Sequence, residues 1–327
     1  MSQTQETHKY LDPQTLASIA PLDLRARMIV EGLMTGMHRS PMQGFSVEFA
    51  QHRQYAPGDD TRFLDWKVYG KTDKLYIKQY QKETNLDMLI LVDTSGSMEY
   101  SSLSRQQGMW RKYDYAATIA AAMAHLALKQ QDRVGLVLFH EDIQRSTRIS
   151  NAQDHWRTIV DALGSADIAG SRDVHHYSAT RAGSMRDTQS SILGRLFDRI
   201  VAKVPRRSLL VLISDLIDDP VELELGLAKL HHRRHDLIIF QVLDRNELEF
   251  PFRQPSDFVG LEAEGRLPLD PAALRRSYLE VVGGHLRNIE QVARRFRFDY
   301  LLLDTSKSLG PPLSHFLAKR AGAISKA

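Results

Sequence analysis

Asp93-Thr94-Ser95-Gly96-Ser97 is the stretch of this 327-residue chain best equipped for chemistry. A carboxylate is followed by hydroxyls two and four positions later. Gly96 lets the backbone turn sharply enough for Ser95 and Ser97 to face one point. Hard oxygens gathered in this way suit Mg²⁺, with Mn²⁺ or Ca²⁺ as the other candidates, rather than zinc or copper. A second carboxylate stands at a similar place far along the chain, where the apolar run Leu209–Ile213 ends in Ser214-Asp215. If the two runs are neighbouring strands, Asp93 and Asp215 meet at one crevice. Carboxylates so close repel each other, and a cation between them relieves the repulsion. Asp93, Ser95, Ser97 and Asp215 are therefore the expected metal ligands, with a coordination position left for an acidic group from outside.

Other chemistries fit less well. Asp93-Thr94-Ser95 and Asp304-Thr305-Ser306 come near the Asp-Thr-Gly of aspartic proteases, but Ser95 and Ser306 stand where glycine is needed. A phosphatase built on Asp93 needs a second Asp two residues on as general acid, and that residue is Ser95. No Gly-x-Ser-x-Gly elbow occurs, and Gly70-Lys71-Thr72 lacks the Gly-rich loop of a nucleotide site. His231, His232 and His235 lie among arginines at a helix end, and His175-His176 has only Asp173 nearby, so both sets are expected to be structural or solvated. Trp66, Trp110 and Trp156 are expected to pack. The chain has no cysteine, which removes disulfides, thiol catalysis and thiolate-bound metal.

The elements that must position these residues follow from hydrophobic spacing. Leu86–Val92 is a nearly unbroken apolar run, the mark of a strand buried on both faces. Similar runs recur at Val134–Phe139, Leu209–Ile213, Leu237–Leu243 and Tyr300–Leu303, with Ile143–Ile149 as a shorter edge strand. Helical spacing separates them at Tyr113–Leu128, Trp156–Leu163, Ile192–Val201, Val221–Leu230 and Val282–Phe296. Alternating strands and helices predict an α/β fold with a doubly wound, mostly parallel sheet. The polar loops Ser101–Trp110 and Ala166–Arg186 should lie at its rim. Before the sheet, residues 1–20 are expected to be a flexible, loosely docked terminus. Residues 21–85 form a helix-plus-β segment, with a helix over Pro21–Met37 for which Asp23 could be the N-cap, a strand around Phe45, Val47 and Phe49, turns at Pro57–Asp60 and Gly70–Asp73, and a strand at Leu75–Tyr80. The mixed charges around Trp66 read as a surface network or a partner-docking face. The main domain is expected over residues 86–305, followed by a helical tail over 306–327.

Net charge is only +3, and the late arginines Arg275, Arg276, Arg287, Arg294, Arg295 and Arg297 have no interleaved aromatics. Nucleic acid is not an expected partner. The start, MSQTQETHKY, has no apolar core of the signal-peptide kind, and no run approaches a membrane span, so a cytoplasmic location is expected.

Asp93-Thr94-Ser95-Gly96-Ser97 with Asp215 resembles the metal-ion-dependent adhesion site of von Willebrand factor A-type domains. That resemblance implies a further hydroxyl ligand ahead of the helix at Ile192, and Thr188, Ser190 and Ser191 all stand near that place. Taken with Arg53-Gln54-Tyr55, Pro57-Gly58-Asp59-Asp60, Arg62, Asp65-Trp66 and Met98, the motif also resembles the bacterial family known as domain of unknown function fifty-eight, over most of residues 35–305. The resemblance implies a von Willebrand A-like fold and a MoxR-type AAA+ ATPase as protein partner. It also suggests a soluble form of a family in which many members carry transmembrane helices. The resulting expectation is a non-enzymatic, metal-dependent interaction module. A Mg²⁺-dependent hydrolase and a scaffold with an unused site are the alternatives.

Overall fold

The computed structural model describes residues 21–37, 51–56, 66–79, 87–103, 110–152, 154–168, 192–204, 206–262 and 265–310, with Leu313, Ser314 and Leu317 beyond them. Two units are distinguished, Met1–Thr35 with Leu86–Ala327, and Gly36–Asn85. In chain order the first elements are α1 (Leu22–Met37), β1 (Gln51–Gln54), α2 (Trp66–Thr72) and β2 (Tyr76–Gln79). The larger unit continues with β3 (Asp87–Asp93), α3 (Lys112–Lys129), β4 (Arg133–Phe139), β5 (Ile143–Ser146), α4 (His155–Gly164) and α5 (Ile192–Lys203). It ends with β6 (Leu209–Ser214), α6 (Pro220–His232), β7 (Asp236–Leu243), α7 (Arg245–Glu249), β8 (Ser256–Val259), β9 (Arg266–Leu269), α8 (Pro271–Arg295) and β10 (Asp299–Asp304).

Six strands form the central sheet in the order β10-β7-β6-β3-β4-β5. All neighbours are parallel except the edge pair β4/β5. The chain thus has an α/β fold with a mostly parallel sheet. Side chains alternate across β3 as the strand period requires. Met88, Ile90 and Val92 enter one core with α1, α3 and α4, while Leu89 and Leu91 enter the other with α5, α6 and α8. Ala116, Ala120 and Ala124 are fully buried on α3, and such small side chains let this 18-residue helix lie close to the strands. Ala26, Ile29 and Val30 of α1 join the same core.

Several local expectations change. Gly70 lies inside α2, and of the expected turn Gly70–Asp73 only Asp73 falls outside the helix, where it takes a left-handed φ of 54°. Trp66 does not pack inside: it is 66% exposed and meets Tyr69 edge to face, whereas Trp110 and Trp156 are buried. Asp23 sits within the first turn of α1 rather than capping it. α8 begins at Pro271, well before Val282, because Asp270 caps it by accepting from the Ala272 N–H at 3.0 Å and Pro271 starts it. Its first turns show no apolar period since they are exposed. α7 and the β8/β9 hairpin were not expected either. The strand around Phe45, the turn at Pro57–Asp60, His175-His176 and Thr188, Ser190 and Ser191 lie outside the described residues. No described helix is long and apolar enough to cross a membrane.

Candidate metal centre

β3 and β6 are parallel neighbours with Val92 level with Ile213, so Asp93 and Ser214-Asp215 leave the sheet side by side. The Asp93 carboxylate is held at both oxygens. Oδ1 accepts from the Ser95 N–H at 2.8 Å and Oδ2 from the Ser214 hydroxyl at 2.5 Å. Thr94 turns inward, its N–H and hydroxyl both donating to the Phe139 carbonyl at 2.8 Å, which fixes the exit of β3 against β4. The backbone then bends through a short 3₁₀ turn, Gly96–Glu99. Gly96 does not have the positive φ that would make it the hinge; the tight helical turn does that work. It brings the Ser95 and Ser97 hydroxyls to 3.0 Å from each other.

Burial pushes the Asp93 carboxyl up to about 7, and the neighbouring Asp215 charge adds to the rise. The bonds from Ser214 and Ser95 act the other way without cancelling it. Asp215 is 3% exposed, and its main-chain carbonyl accepts from Gln241 Nε2 at 2.8 Å. Gln241 is oriented in turn by the Tyr300 hydroxyl, which donates to its Oε1 at 2.8 Å.

Sequence reasoning missed Lys112. Its side chain is fully buried, with Nζ 2.8 Å from Asp215 Oδ2 and 2.7 Å from Glu247 Oε1. Burial alone would lower its pKa, but the two carboxylates more than offset this and hold it at about 12. Burial in turn raises the Glu247 carboxyl, with Lys112 opposing. A signal was present in the sequence: Lys112 is the first residue of α3, where the helix dipole disfavours a cation unless anions surround it. Glu247 and Asp244 form a capping box on α7, in which Asp244 N–H donates to Glu247 Oε2 at 2.7 Å. Asp244 Oδ2 also accepts from the Ser102 hydroxyl at 2.9 Å and the Thr305 hydroxyl at 3.0 Å. A third acidic group, Glu262 beside the β8/β9 hairpin, accepts from the Ser97 N–H at 3.0 Å.

Asp93, Ser95, Ser97 and Asp215 are thus gathered at the carboxyl ends of adjacent strands. Asp304 ends β10 at the same rim, with its Oδ1 taken by the N–H and hydroxyl of Ser306 at 2.9 and 2.6 Å. Among the described residues no group of three or more His, Cys, Asp or Glu is arranged to hold a metal, so any ion here would depend on the serine hydroxyls as well as the carboxylates. The donor set is chemically that of a hard cation: all its atoms are oxygens, and the Asp93 and Asp215 carboxylates lie close enough for one charge to act on the other.

Residues 51–286 match the family described as "Protein of unknown function DUF58". The chain is 24% identical to "Uncharacterized protein Rv1480" of Mycobacterium tuberculosis H37Rv over 318 residues, covering 96% of this chain and 92% of the relative. The same figures hold for "Uncharacterized protein Mb1516" of Mycobacterium bovis. Among solved structures, "conserved hypothetical protein BatB" from Bacteroides thetaiotaomicron aligns with 74% of this chain and 100% of its own, at 13% identity and a TM-score of 0.46. An "aerotolerance-related membrane protein" from Bacteroides fragilis aligns with 73% of this chain and 99% of its own, at 14% identity and a TM-score of 0.44.

Proposed function

We propose, for a chain that belongs to the DUF58 family of proteins of unknown function, a non-enzymatic role as a metal-dependent protein-interaction module. The supporting observation is the pairing of Asp93 with Asp215 across adjacent strand ends, beside two serine hydroxyls that converge. Asp93, Ser95, Ser97 and Asp215 would hold Mg²⁺, with Mn²⁺ or Ca²⁺ able to substitute. The ion supplies a positive centre that favours an anionic oxygen, so the group it receives is an Asp or Glu of another protein. This reading makes the site a metal-ion-dependent adhesion site, as the sequence motif suggests. The strand order agrees with a von Willebrand A-like, doubly wound reading: β4 and β5 add to one side of β3, and β6, β7 and β10 to the other, which puts the site at a topological switch point. We take the partner to be a MoxR-type AAA+ ATPase, as the family resemblance implies, and the setting to be the cytoplasm.

The test is capture of a purified MoxR-type ATPase from the same organism by the immobilised chain. Capture should be abolished by EDTA and by Asp93→Ala, and restored to the wild-type chain by Mg²⁺. Capture undiminished by either treatment would remove the metal from the interaction. A scaffold that works without metal is the second reading, favoured by the hold of Lys112 on Asp215. Calorimetric titration with Mn²⁺ separates the two, since a scaffold gives no binding heat.

A further inference from the structure

We propose that Lys112 is the resident counterion of this centre: its ammonium, lodged between Asp215 and Glu247, holds the metal-free site together and competes with a divalent cation for Asp215. The inference rests on the metal-binding reading above and deepens it, by naming the residue that sets how tightly the ion is held.

Two carboxyl groups, those of Asp215 and Glu247, grip one buried ammonium, and Asp93 lies close enough to Asp215 to feel its charge. Lys112 cannot turn to water, because its side chain is fully buried and its backbone N–H is fixed to the Tyr100 carbonyl at 3.0 Å. Both Asp215 oxygens are engaged, Oδ2 by the ammonium at 2.8 Å and Oδ1 by the Ile217 N–H at 3.4 Å. Glu247 is likewise held at Oε1 by Lys112 and at Oε2 by the Asp244 N–H. A cation beside Asp93 therefore shares Asp215 with an ammonium already in place and is repelled by it. In a partly buried site a unit charge a few ångströms away changes divalent affinity by about tenfold or more. The benefit of Lys112 is to the metal-free protein, where unpaired buried carboxylates are strongly destabilising. Its cost is a weaker hold on the ion, which leaves the incoming carboxylate of a partner to complete the binding.

The experiment measures Mn²⁺ affinity by calorimetry, and thermal unfolding with and without Mn²⁺, on the full chain and two variants. Lys112→Met keeps the length and removes the charge. It should bind Mn²⁺ at least about tenfold more tightly, and its lowered melting temperature should be largely restored by the ion. Glu247→Gln keeps an acceptor for Lys112 and removes a negative charge, so it should bind Mn²⁺ more weakly than the wild type. Opposite signs in the two variants support the proposal. If Lys112→Met fails to fold even with Mn²⁺, weaker binding by Glu247→Gln still supports it and unchanged binding overturns it. If the wild type binds Mn²⁺ and neither variant differs, Lys112 is only a packing residue and the metal reading survives alone. If neither wild type nor Lys112→Met takes up the ion, both readings fall.

Discussion

Ser214 shows how much a single hydroxyl carries near the candidate site. It donates to Asp93 Oδ2 at 2.5 Å and accepts from the Leu216 N–H at 3.0 Å, joining the two strand ends. Ser214→Ala leaves a buried carboxylate oxygen and a buried N–H without that partner, and should lower unfolding stability by about 1–3 kcal/mol in urea titrations. A different residue makes the fold sensitive to pH. His235 is buried, its Nδ1 accepts from the Ser208 N–H at 3.3 Å, and burial followed by nearby Arg233 lowers its pKa, with Asp236 opposing. The folded state therefore favours the neutral ring. Its stabilising contribution is complete above the ordinary histidine pKa of about 6.5 and declines as pH falls below it, because the unfolded chain takes up the proton first. His235→Asn offers an acceptor without titrating, so the fall in melting temperature between about pH 7.5 and 5.5 should be shallower in the variant than in the wild type. At this scale the sequence was legible where chemistry is local. Asp93, Ser95 and Ser97 are spaced within one turn of chain, but Lys112 and Glu247 lie 135 positions apart and meet only because α3 and α7 converge.

Elements were legible where both their faces are apolar and obscure where one is wet. β3, β4, β6 and β7 read directly from their apolar runs, since each is buried from end to end or nearly so. β8 and β9 did not: their residues are mostly exposed, and Val259 and Leu267 point to solvent rather than to a core. The helix pair α5/α6 carries a constraint that periodicity cannot reveal. At Gly226 a Cβ would overlap the buried Phe197 ring, with even Cε2 only 2.8 Å away. Gly226→Ala gains about 1 kcal/mol in helix propensity. The overpacking should cost about 1–3 kcal/mol and outweigh it, a net loss readable by chemical denaturation. Retained or raised stability would mean the two helices can move apart at little cost.

The chain as a whole interrupts its larger unit with Gly36–Asn85. β3 is one of the two central strands of the sheet, paired on one side to β4 and on the other to β6, with side chains covered above and below. Its amide hydrogens should be among the slowest in the protein to exchange with deuterium, and those of the Gly96–Glu99 turn markedly quicker. The carboxylate of Asp93 is thus rooted in backbone that opens only when the whole unit does. The hydroxyls that follow it ride on a short 3₁₀ turn outside the sheet ladder. On the metal-binding proposal, half of the oxygen donors would be set before an ion arrived, and the other half could adjust to its radius.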